Sequence, residues 1–453
     1  MSDIQTRFDA LINENSDKKN RWGMSSDGKA SDKNPLTSQA VNLIIEQAIV
    51  DRASDIHIEP SAEGLRVRYR IDGQLYEVLR VDDPDIAILP RIKVMAGLAT
   101  DTMAKRKSQD GRFHMDIGAS GFDFRLSTFP TVNGEKMAIR ILSEGVGRLK
   151  LENTGMDNQD LTRVMRLMHH KHGIILVTGP TGSGKTSTLY ALLNKVNSPK
   201  MNIVTLEDPV EYQVPGLNQC DIKSKSDFNF AEGLKAILRQ DPNIILVGEM
   251  RDQETAEIAI RASMTGHLVI SSLHANSAIG TVTRLLNMGL DPYMVSYALI
   301  GAVAQRLVRT ICEQCRTSYS LTQDQLNQLR VLFGITPEML MAAKPPEKVN
   351  SEAGMMYLSS SQNKATDATS VVFYKGKGCE HCRGTGYRGR IGIFEIVVFD
   401  DDIRDAIVRG ASTTEITAIA VRRGTKRLAV DALEKVKKGL TTFDEVGPIL
   451  LEK

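Results

Sequence analysis

The sequence predicts an α/β fold in which a mostly parallel sheet follows a smaller α+β domain. Between residues 159 and 310, short apolar strands alternate with helical segments, which is the pattern of βαβ units. These strands are contained in GIILVTG, NIVTLED, NIILVGE and HLVISSL. Upstream, two segments of alternating polarity flank Asp72-Gly73, which is a strong hairpin signal. At 453 residues, the chain is long enough for two or three domains with separate cores.

Changes in composition and periodicity divide the chain into six segments. We expect a flexible N-terminal segment (1–36), a small α+β domain (37–145), a linker (146–158), an α/β core (159–310), a segment bounded by cysteine pairs (311–395) and a helical C-terminal region (396–453). In the small domain, helical spacing begins at Thr37, an N-cap candidate, and a second helix is expected over 86–100. FHMDI, FDFRLSTFP and KMAIRIL predict further strands.

The N-terminal segment combines a polar stretch with a short apolar stripe. Residues 13–36 are too polar to fold by themselves. Before them, Ile4, Phe8, Leu11 and Ile12 fall on one face of a short helix. Two interpretations remain open for this face: a chain end that packs on its own protein, or a docking peptide on a flexible tether.

A glycine-rich loop joins the first core strand to a helix and matches G-x-x-x-x-G-K-[ST] in full. Its glycines let backbone N–H groups turn inward around phosphate oxygens, and the helix adds its positive end. We expect Lys185 to reach the β- and γ-phosphates of a nucleotide and the Thr186 hydroxyl to bind Mg²⁺. The residues expected to contact the nucleotide are Gly179, Pro180, Thr181, Gly182, Ser183, Gly184, Lys185, Thr186 and Ser187.

Acidic residues end two further core strands. Glu249 closes NIILVGE and suits the acid that, on a strand beside the phosphate loop, holds Mg²⁺ or activates water. In TLEDPVEY, Glu207, Asp208 and Glu211 lie within five residues, and such clustered carboxylates repel unless a cation is near. Glu211 could orient or deprotonate the attacking water. The alternatives are an ordinary acid at a strand end for Glu249 and a solvated turn for TLEDPVEY.

Two histidines bracket the strand HLVISSL. His267 precedes it and His274 follows it, so in a regular strand they project from opposite faces. Either histidine could sense the γ-phosphate, although a lone histidine is more often a satisfied polar group than a catalyst.

Four of the five cysteines form two C-x₂-C pairs separated by 63 residues: Cys312 with Cys315, and Cys379 with Cys382. Four thiolates provide the soft tetrahedral set that Zn²⁺ prefers. A redox dithiol is the alternative, but that motif normally consists of one pair near a thioredoxin-like βαβ unit. Cys220 is left over, and we expect it to be a buried thiol.

Composition restricts the class of protein. Hydrophobic residues make up 42% and charged residues 25%, and the net charge is +2, so no whole-molecule charge favours nucleic acid or membrane. No apolar stretch approaches the ~20 residues that span a bilayer, and the start has no signal-peptide pattern. We therefore expect the chain in the cytosol. An enzyme acting on DNA would need a basic stripe with aromatics, whereas aromatics are only 5% here.

Taken together, these motifs resemble the type II secretion and type IV pilus assembly ATPases. ASDIHIEP, RVRYRIDG, QDGR, GPTGSGKT, TLEDPVEY, LRQDPNIILVGEMRD, TGHLVISSLHAN and AQRLVRTICEQC follow one another in family order over about 37–400. The resemblance implies a RecA-like P-loop ATPase core, with the small domain clamping ATP against it. It makes Glu249 the Walker B acid, Glu207 to Glu211 the acidic box, and His267 and His274 the histidine box.

The resemblance also implies residues and partners that the pattern alone does not. Two arginines of the small domain, Arg125 in FDFRLS and Arg140 in MAIRIL, match those that family members bring to the phosphates, where a guanidinium neutralises developing charge. The family is implied to work as a homo-hexamer on an inner-membrane platform protein, on the cytoplasmic side, with no specific nucleic acid.

Within the family, the cysteine quartet is the zinc subdomain of assembly-type members, and retraction motors generally lack it. The implied function is a motor that couples ATP hydrolysis to pilus or pseudopilus assembly. The alternatives are an ATPase acting on DNA and a regulatory ring with little turnover. Many family members begin with an additional folded domain, whereas about 36 residues precede the small domain here. We therefore expect recruitment through residues 4–12, another surface or a different partner.

Overall fold

The computed structural model describes residues 2–14, 35–82, 87–101, 107–143, 150–222, 228–320, 331 and 372–451. The chain divides into two compact units, Met1–Val146 and Gly147–Lys453. The division falls next to residue 145, the expected end of the small domain. No helix within the described ranges is long and apolar enough to cross a membrane.

The first unit is built on an antiparallel sheet of six strands. They are β1 (Ala53–Ser61), β2 (Gly64–Ile71), β3 (Gln74–Val81), β4 (Gln109–Ile117), β5 (Ser120–Thr131) and β6 (Gly134–Ser143). Their order is β3-β2-β1-β6-β5-β4. Asp72 and Gly73 join β2 to β3 with φ of 48° and 90°, the left-handed conformations that a two-residue hairpin turn needs. The predicted hairpin is therefore confirmed.

Three helices accompany this sheet: α1 (Ser2–Glu14), α2 (Pro35–Val50) and α3 (Ile88–Met95). Helix α2 begins before Thr37, because Pro35 can start a helix without losing a needed hydrogen bond. Thr37 therefore lies inside the helix and does not cap it. Helix α3 is shorter than the predicted 86–100. The apolar face of α2, including Ile44 and Ile45, is buried in the core of the first unit.

Helix α1 belongs to the first unit, although residues 1–36 were expected to form a flexible segment. Ile4 and Phe8 are only 3% and 2% exposed and lie in the same core as α2. The Gln5 side chain accepts a hydrogen bond from the backbone N–H of Arg80 on β3 at 2.9 Å. The apolar face thus packs on its own protein, because burying each such side chain is worth about 1.5–3 kcal/mol. Residues 15–34 lie outside the described ranges.

The second unit contains a seven-stranded sheet and a two-stranded ribbon. The strands are β7 (Gly173–Thr178), β8 (Ile203–Glu207), β9 (Asn218–Asp221), β10 (Ile244–Glu249), β11 (Leu268–Leu273), β12 (Leu299–Ile311), β13 (Arg316–Ser320), β14 (Val372–Gly376) and β15 (Tyr387–Val398). The large sheet has the order β15-β12-β7-β11-β10-β8-β9, and β13 pairs with β14. All neighbours in the large sheet are parallel except β15, which runs antiparallel to β12.

Helices cover both faces of this sheet. They are α4 (Asn158–Met168), α5 (Lys185–Val196), α6 (Phe230–Ile237), α7 (Gln253–Met264), α8 (Gly280–Asn287), α9 (Pro292–Ala298), α10 (Asp401–Val408), α11 (Thr413–Arg422), α12 (Leu428–Lys437) and α13 (Phe443–Leu451). Alternate residues of β7 enter different cores: Ile174 and Leu176 one, Ile175 and Val177 the other. Burial on both faces explains why the core strands are continuously apolar.

The segments expected as a linker (146–158) and as a cysteine subdomain (311–395) are both joined to the large sheet. Strand β15 crosses residue 395 and pairs with β12 from Gly301 opposite Val398 to Ile311 opposite Tyr387. The last part of the segment 311–395 is therefore an edge strand of the large sheet. The second half of the linker is held as well, since the Gly392 N–H donates to the Thr154 carbonyl at 2.9 Å.

Buried charges connect the C-terminal helices to the sheet. Asp431 on α12 accepts a hydrogen bond from the Phe394 N–H of β15 at 2.8 Å. Its carboxylate also pairs with the buried Lys435 ammonium and lies 3.2 Å from that of Lys426. Two cations and a backbone donor therefore share one buried carboxylate.

Candidate nucleotide site and cysteine cluster

The phosphate loop lies between β7 and α5, as predicted. Gly179, Gly182 and Gly184 have φ of 148°, 78° and 87°, a region that L side chains rarely adopt. A Cβ at Gly179 would also lie 2.4 Å from the Gln305 carbonyl oxygen of β12. Glycine is thus required here both by conformation and by the close approach of β12.

Lys185 begins α5 and folds back over the loop. Its ammonium donates to the carbonyl oxygens of Gly179 and Pro180 at 2.9 and 3.0 Å. Burial lowers the pKa of Lys185, the Glu249 carboxylate opposes that shift and the Arg306 guanidinium adds to it. A cation held by two loop carbonyl oxygens, at the amino end of a helix, is suited to receive phosphate oxygens.

Two further observations fit a phosphate in this loop. A Cβ built at Gly182 meets nothing within 4 Å, so the loop is open there. Within the described ranges, the buried Ser183 hydroxyl oxygen has no hydrogen-bond partner, and buried hydroxyls normally have one. The residues present therefore fit a nucleotide phosphate.

Glu249 ends β10, which is not the neighbour of β7 in the sheet. Strand β11 lies between them, so Glu249 stands two strands away from the strand that leads into the loop. Because all these strands are parallel, their carboxyl ends still share one edge. There the Glu249 carboxylate lies 3.5 Å from Nε2 of His274 and contacts the Arg251 guanidinium.

Glu207 was expected to act beside the nucleotide, but its side chain points into the core. It is 4% exposed. Its carboxylate accepts hydrogen bonds from the hydroxyls of Tyr190 and Thr205 and from the Gln219 amide. With its oxygens engaged by protein donors, Glu207 is not placed to meet a substrate. Glu211 is half-buried in the segment that follows.

The two histidines lie at opposite edges of the sheet. His274 follows the carboxyl end of β11 and reaches Glu249, whereas His267 precedes the amino end. The His267 carbonyl accepts from the N–H of Gly173, the first residue of β7, and its Nδ1 bonds to the Ala262 carbonyl at 3.0 Å. A strand of six residues spans about 20 Å, so within one chain His267 does not join the phosphate site.

Arg125 and Arg140 are directly opposite each other on β5 and β6 of the first unit. Phe124 and Leu126, which flank Arg125, are buried, so both arginines occupy the sheet face opposite the core. The Arg140 Nε donates to the Asp55 carboxylate at 3.2 Å. The structure thus brings the two guanidinium groups to one face, and their contact with phosphates remains a prediction.

Gln305 and Arg306 on β12 are site residues that the sequence analysis did not single out. The Gln305 side-chain oxygen accepts from the Thr188 hydroxyl of α5 at 2.7 Å, which ties β12 to the helix behind the loop. The Arg306 guanidinium donates to the Asn276 carbonyl at 2.9 Å, beyond His274. The available signal was a polar pair, Gln-Arg, inside the apolar strand LIGAVAQRLVRTI.

The four cysteines of the two pairs converge into one cluster. Their Sγ atoms all lie within 4.8 Å of one another. Cys312 and Cys379 are 3.8 Å apart, Cys315 and Cys382 are 3.7 Å apart, and Cys379 and Cys382 are also 3.7 Å apart. Four sulfurs bound tetrahedrally at the usual zinc distance would be about 3.8 Å apart. The cluster therefore fits zinc, and the cysteines are free thiols.

Glycines bring the two halves of this cluster together. A Cβ at Gly376 would lie 2.0 Å from the carbonyl oxygen of Gly386, so only glycine permits this approach. The Gly386 N–H points to Cys382 Sγ at 3.3 Å, and the Cys379 N–H does so at 3.2 Å. N–H groups directed at a sulfur stabilise a thiolate, the form that binds metal.

The sequence of the chain matches a known protein family and curated relatives of that family. Residues 29–447 match the family described as Type II/IV secretion system protein. The chain is 44% identical over 416 residues to the Type II secretion system protein E of Dickeya dadantii (strain 3937), covering 91% of this chain and 75% of that protein. It is 40% identical over 423 residues to the Type IV pilus assembly ATPase PilB of Myxococcus xanthus (strain DK1622), covering 92% and 68%.

Two solved structures of ATPases are similar to this chain. The crystal structure of the pilus retraction motor PilT with bound ADP has a TM-score of 0.58 and 25% identity, covering 89% of this chain and 95% of that one. The ATPase DotB of Legionella pneumophila has a TM-score of 0.63 at 19% identity, which is a likeness of fold. Because the family match covers nearly the whole chain and both relatives are at least 40% identical, the chain belongs to the Type II/IV secretion system protein family.

Proposed function

We propose that this chain is the motor ATPase of a type II secretion or type IV pilus assembly machine. It would work as a homo-hexamer at the cytoplasmic face of the inner membrane, on a platform protein, and drive the addition of pilin or pseudopilin. Support comes from relatives named as type II secretion protein E and as the PilB assembly ATPase, and from the likeness to a motor with bound ADP. The observation that carries the proposal is the Lys185 ammonium held over an open, glycine-lined phosphate loop.

The residues at and around the phosphate loop have distinct roles in this proposal. Backbone N–H groups of residues 181–187 and the Lys185 ammonium bind the β- and γ-phosphates of ATP. Thr186 and Glu249 would hold Mg²⁺, which, when bound, neutralises negative charge on the phosphates. His274, 3.5 Å from Glu249, orients that carboxylate. Glu211 orients the attacking water or accepts its proton.

Two arginines and the cysteine cluster complete the proposal. Arg125 and Arg140 would neutralise phosphate charge as it develops during transfer. Cys312, Cys315, Cys379 and Cys382 would hold a structural Zn²⁺ that joins β13 and β14 to the end of β12. All four ligands come from the protein, so the zinc has no part in hydrolysis.

Hydrolysis is tested with Lys185→Ala and Glu249→Gln. We expect each to lower kcat for ATP by about 100-fold or more, since each removes a group that stabilises transferring phosphate. Lys185→Ala should also weaken nucleotide binding. Lys171→Ala, an exposed lysine before β7, is the matched control. If either Lys185→Ala or Glu249→Gln hydrolysed ATP with the kcat of the parent, the assigned site would be contradicted.

The machine is identified by deleting the gene and scoring surface pili and secreted enzymes separately. Loss of one of the two outputs, restored by the parent chain but not by Lys185→Ala, is the expected result. Unchanged pili and secretion, together with ATPase activity stimulated by DNA, would instead indicate an enzyme acting on nucleic acid.

A further inference from the structure

We propose that Tyr190, Glu207 and Gln219 form a buried relay that positions the acidic segment, residues 208–214, relative to the phosphate loop. The acidic segment carries Glu211, so the proposal rests on the catalytic role of that residue given above. In this assignment Glu207 is a positioning residue and does not act on the substrate itself.

Tyr190 connects the relay to the phosphate loop. It lies on α5, five residues after Lys185, and is 1% exposed. Its hydroxyl donates to the Glu207 carboxylate. Burial and the neighbouring Glu207 carboxylate raise the pKa of Tyr190, so the hydroxyl keeps its proton and remains a donor. Because α5 is a continuous helix, its first turn and Tyr190 move together.

Glu207 holds the centre of the relay rigidly. Besides Tyr190, its carboxylate accepts from the Thr205 hydroxyl at 2.6 Å and the Gln219 amide at 3.2 Å. Three donors from α5, β8 and β9 therefore converge on one buried carboxylate. Hydrogen bonds to a charged acceptor are stronger than neutral ones, which restricts the rotation of all three donors.

Gln219 connects Glu207 to the acidic segment. Its amide nitrogen also donates to the Tyr212 carbonyl at 3.0 Å, and its oxygen accepts from the Val214 N–H at 2.7 Å. The Tyr190 ring packs edge-on against Tyr212, with centroids 5.5 Å apart. The segment has no helix or strand of its own, so these side-chain contacts fix its backbone on both sides of Gln213 and at Tyr212, the residue after Glu211.

The relay therefore couples phosphate binding to the position of Glu211. A change in the first turn of α5 would pass through the Tyr190 hydroxyl and Gln219 to the residue beside Glu211. Sequence reasoning missed this because Tyr190 and Gln219 look like ordinary core and strand residues, and their partners are distant in the chain.

The test begins with Tyr190→Phe, which removes only the hydroxyl. We expect kcat for ATP to fall about tenfold while the Kd for a fluorescent ATP analogue stays within about twofold, because the loop itself is intact. Tyr297→Phe, an exposed tyrosine on α9, is the matched control and should change neither value. An unchanged kcat in Tyr190→Phe would overturn the proposal.

A double variant separates positioning from general destabilisation. Since the relay acts through Glu211, adding Tyr190→Phe to Glu211→Gln should cause little further loss of kcat. The same tenfold loss in both backgrounds would refute the relay. Gln219→Leu supplies a second route that leaves Tyr190 in place, and it should repeat the loss of kcat and its dependence on Glu211.

Hydrogen exchange keeps the relay testable if Glu211 has no catalytic role. Should Glu211→Gln hydrolyse ATP normally, the role proposed for that residue is wrong, and amide exchange over residues 208–217 then decides the relay. We expect faster exchange in Tyr190→Phe and Gln219→Leu than in the parent or Tyr297→Phe. Unchanged exchange in both relay variants would show that these contacts do not hold the segment.

Discussion

Replacing Cys382 with serine should release the zinc proposed for the cysteine cluster and destabilise the second unit. Cys382 is the buried member of its pair and the sulfur to which the N–H groups of Cys379 and Gly386 point. A serine hydroxyl is a harder and less acidic ligand than a thiol, so the remaining three sulfurs no longer form a closed zinc site.

The size of the effect follows from the chain that the zinc closes. Cys315 and Cys379 are separated by 63 residues. If zinc acts as a cross-link between them, it lowers the conformational entropy of the unfolded chain. Losing this cross-link should lower the free energy of unfolding by about 4 kcal/mol. For a unit of this size, that loss lowers Tm by about 6 °C. Nucleotide binding should not change, because Cys312 follows Gln305 by seven residues of extended chain, about 20 Å from the loop.

The assay measures zinc per chain, Tm and the Kd for ATP on the purified full chain. We expect one zinc in the parent and little in Cys382→Ser, with Tm lowered as above and Kd within about twofold. Cys220→Ser replaces the cysteine outside the cluster and should keep its zinc. Full zinc content in Cys382→Ser, or loss of zinc without any fall in Tm, would refute the reasoning.

Two further predictions concern the charges of each unit. Asp431→Ala leaves Lys435 and the Phe394 N–H without their buried partner, so the free energy of unfolding should fall by about 3–5 kcal/mol in a denaturant titration. The control is Asp401→Ala, because the Asp401 side chain is 94% exposed. This variant should change the free energy of unfolding by less than about 0.5 kcal/mol. Burial by itself would raise the pKa of Glu59, but hydrogen bonds from Arg68, Lys136 and Arg66 outweigh it and lower the pKa to about 2. Since the folded-state pKa lies below the unfolded value, this stabilisation is complete above about pH 5 and is lost as the pH falls towards 2. Glu59→Gln should therefore be less stable than the parent at pH 7 and differ little from it near pH 2, and a constant difference across that range would contradict the assignment.

Local patterns predicted much of this protein because their chemistry is contained in short stretches of chain. The phosphate loop needs successive glycines before Lys185, and each C-x₂-C pair places its two sulfurs on one turn. Short apolar strands that alternate with helices likewise indicated a mostly parallel sheet. Such features depend on neighbours within a few residues, so one sequence is enough to propose them.

The roles of the acids and histidines depended instead on pairing between distant segments. Strand order placed β11 between β7 and β10, which decides how Glu249 approaches the phosphate loop. The direction of β11 separated His267 from His274.

The sequence by itself determined the family, the phosphate loop and the two cysteine pairs, since each is written in adjacent residues. The tertiary structure alone decided that α1 packs into the first unit and that Glu207 is buried beneath Tyr190 and Gln219. The physical reason is that a side chain's exposure and partners are set by which elements pack against it, and in this protein those partners come from distant parts of the chain.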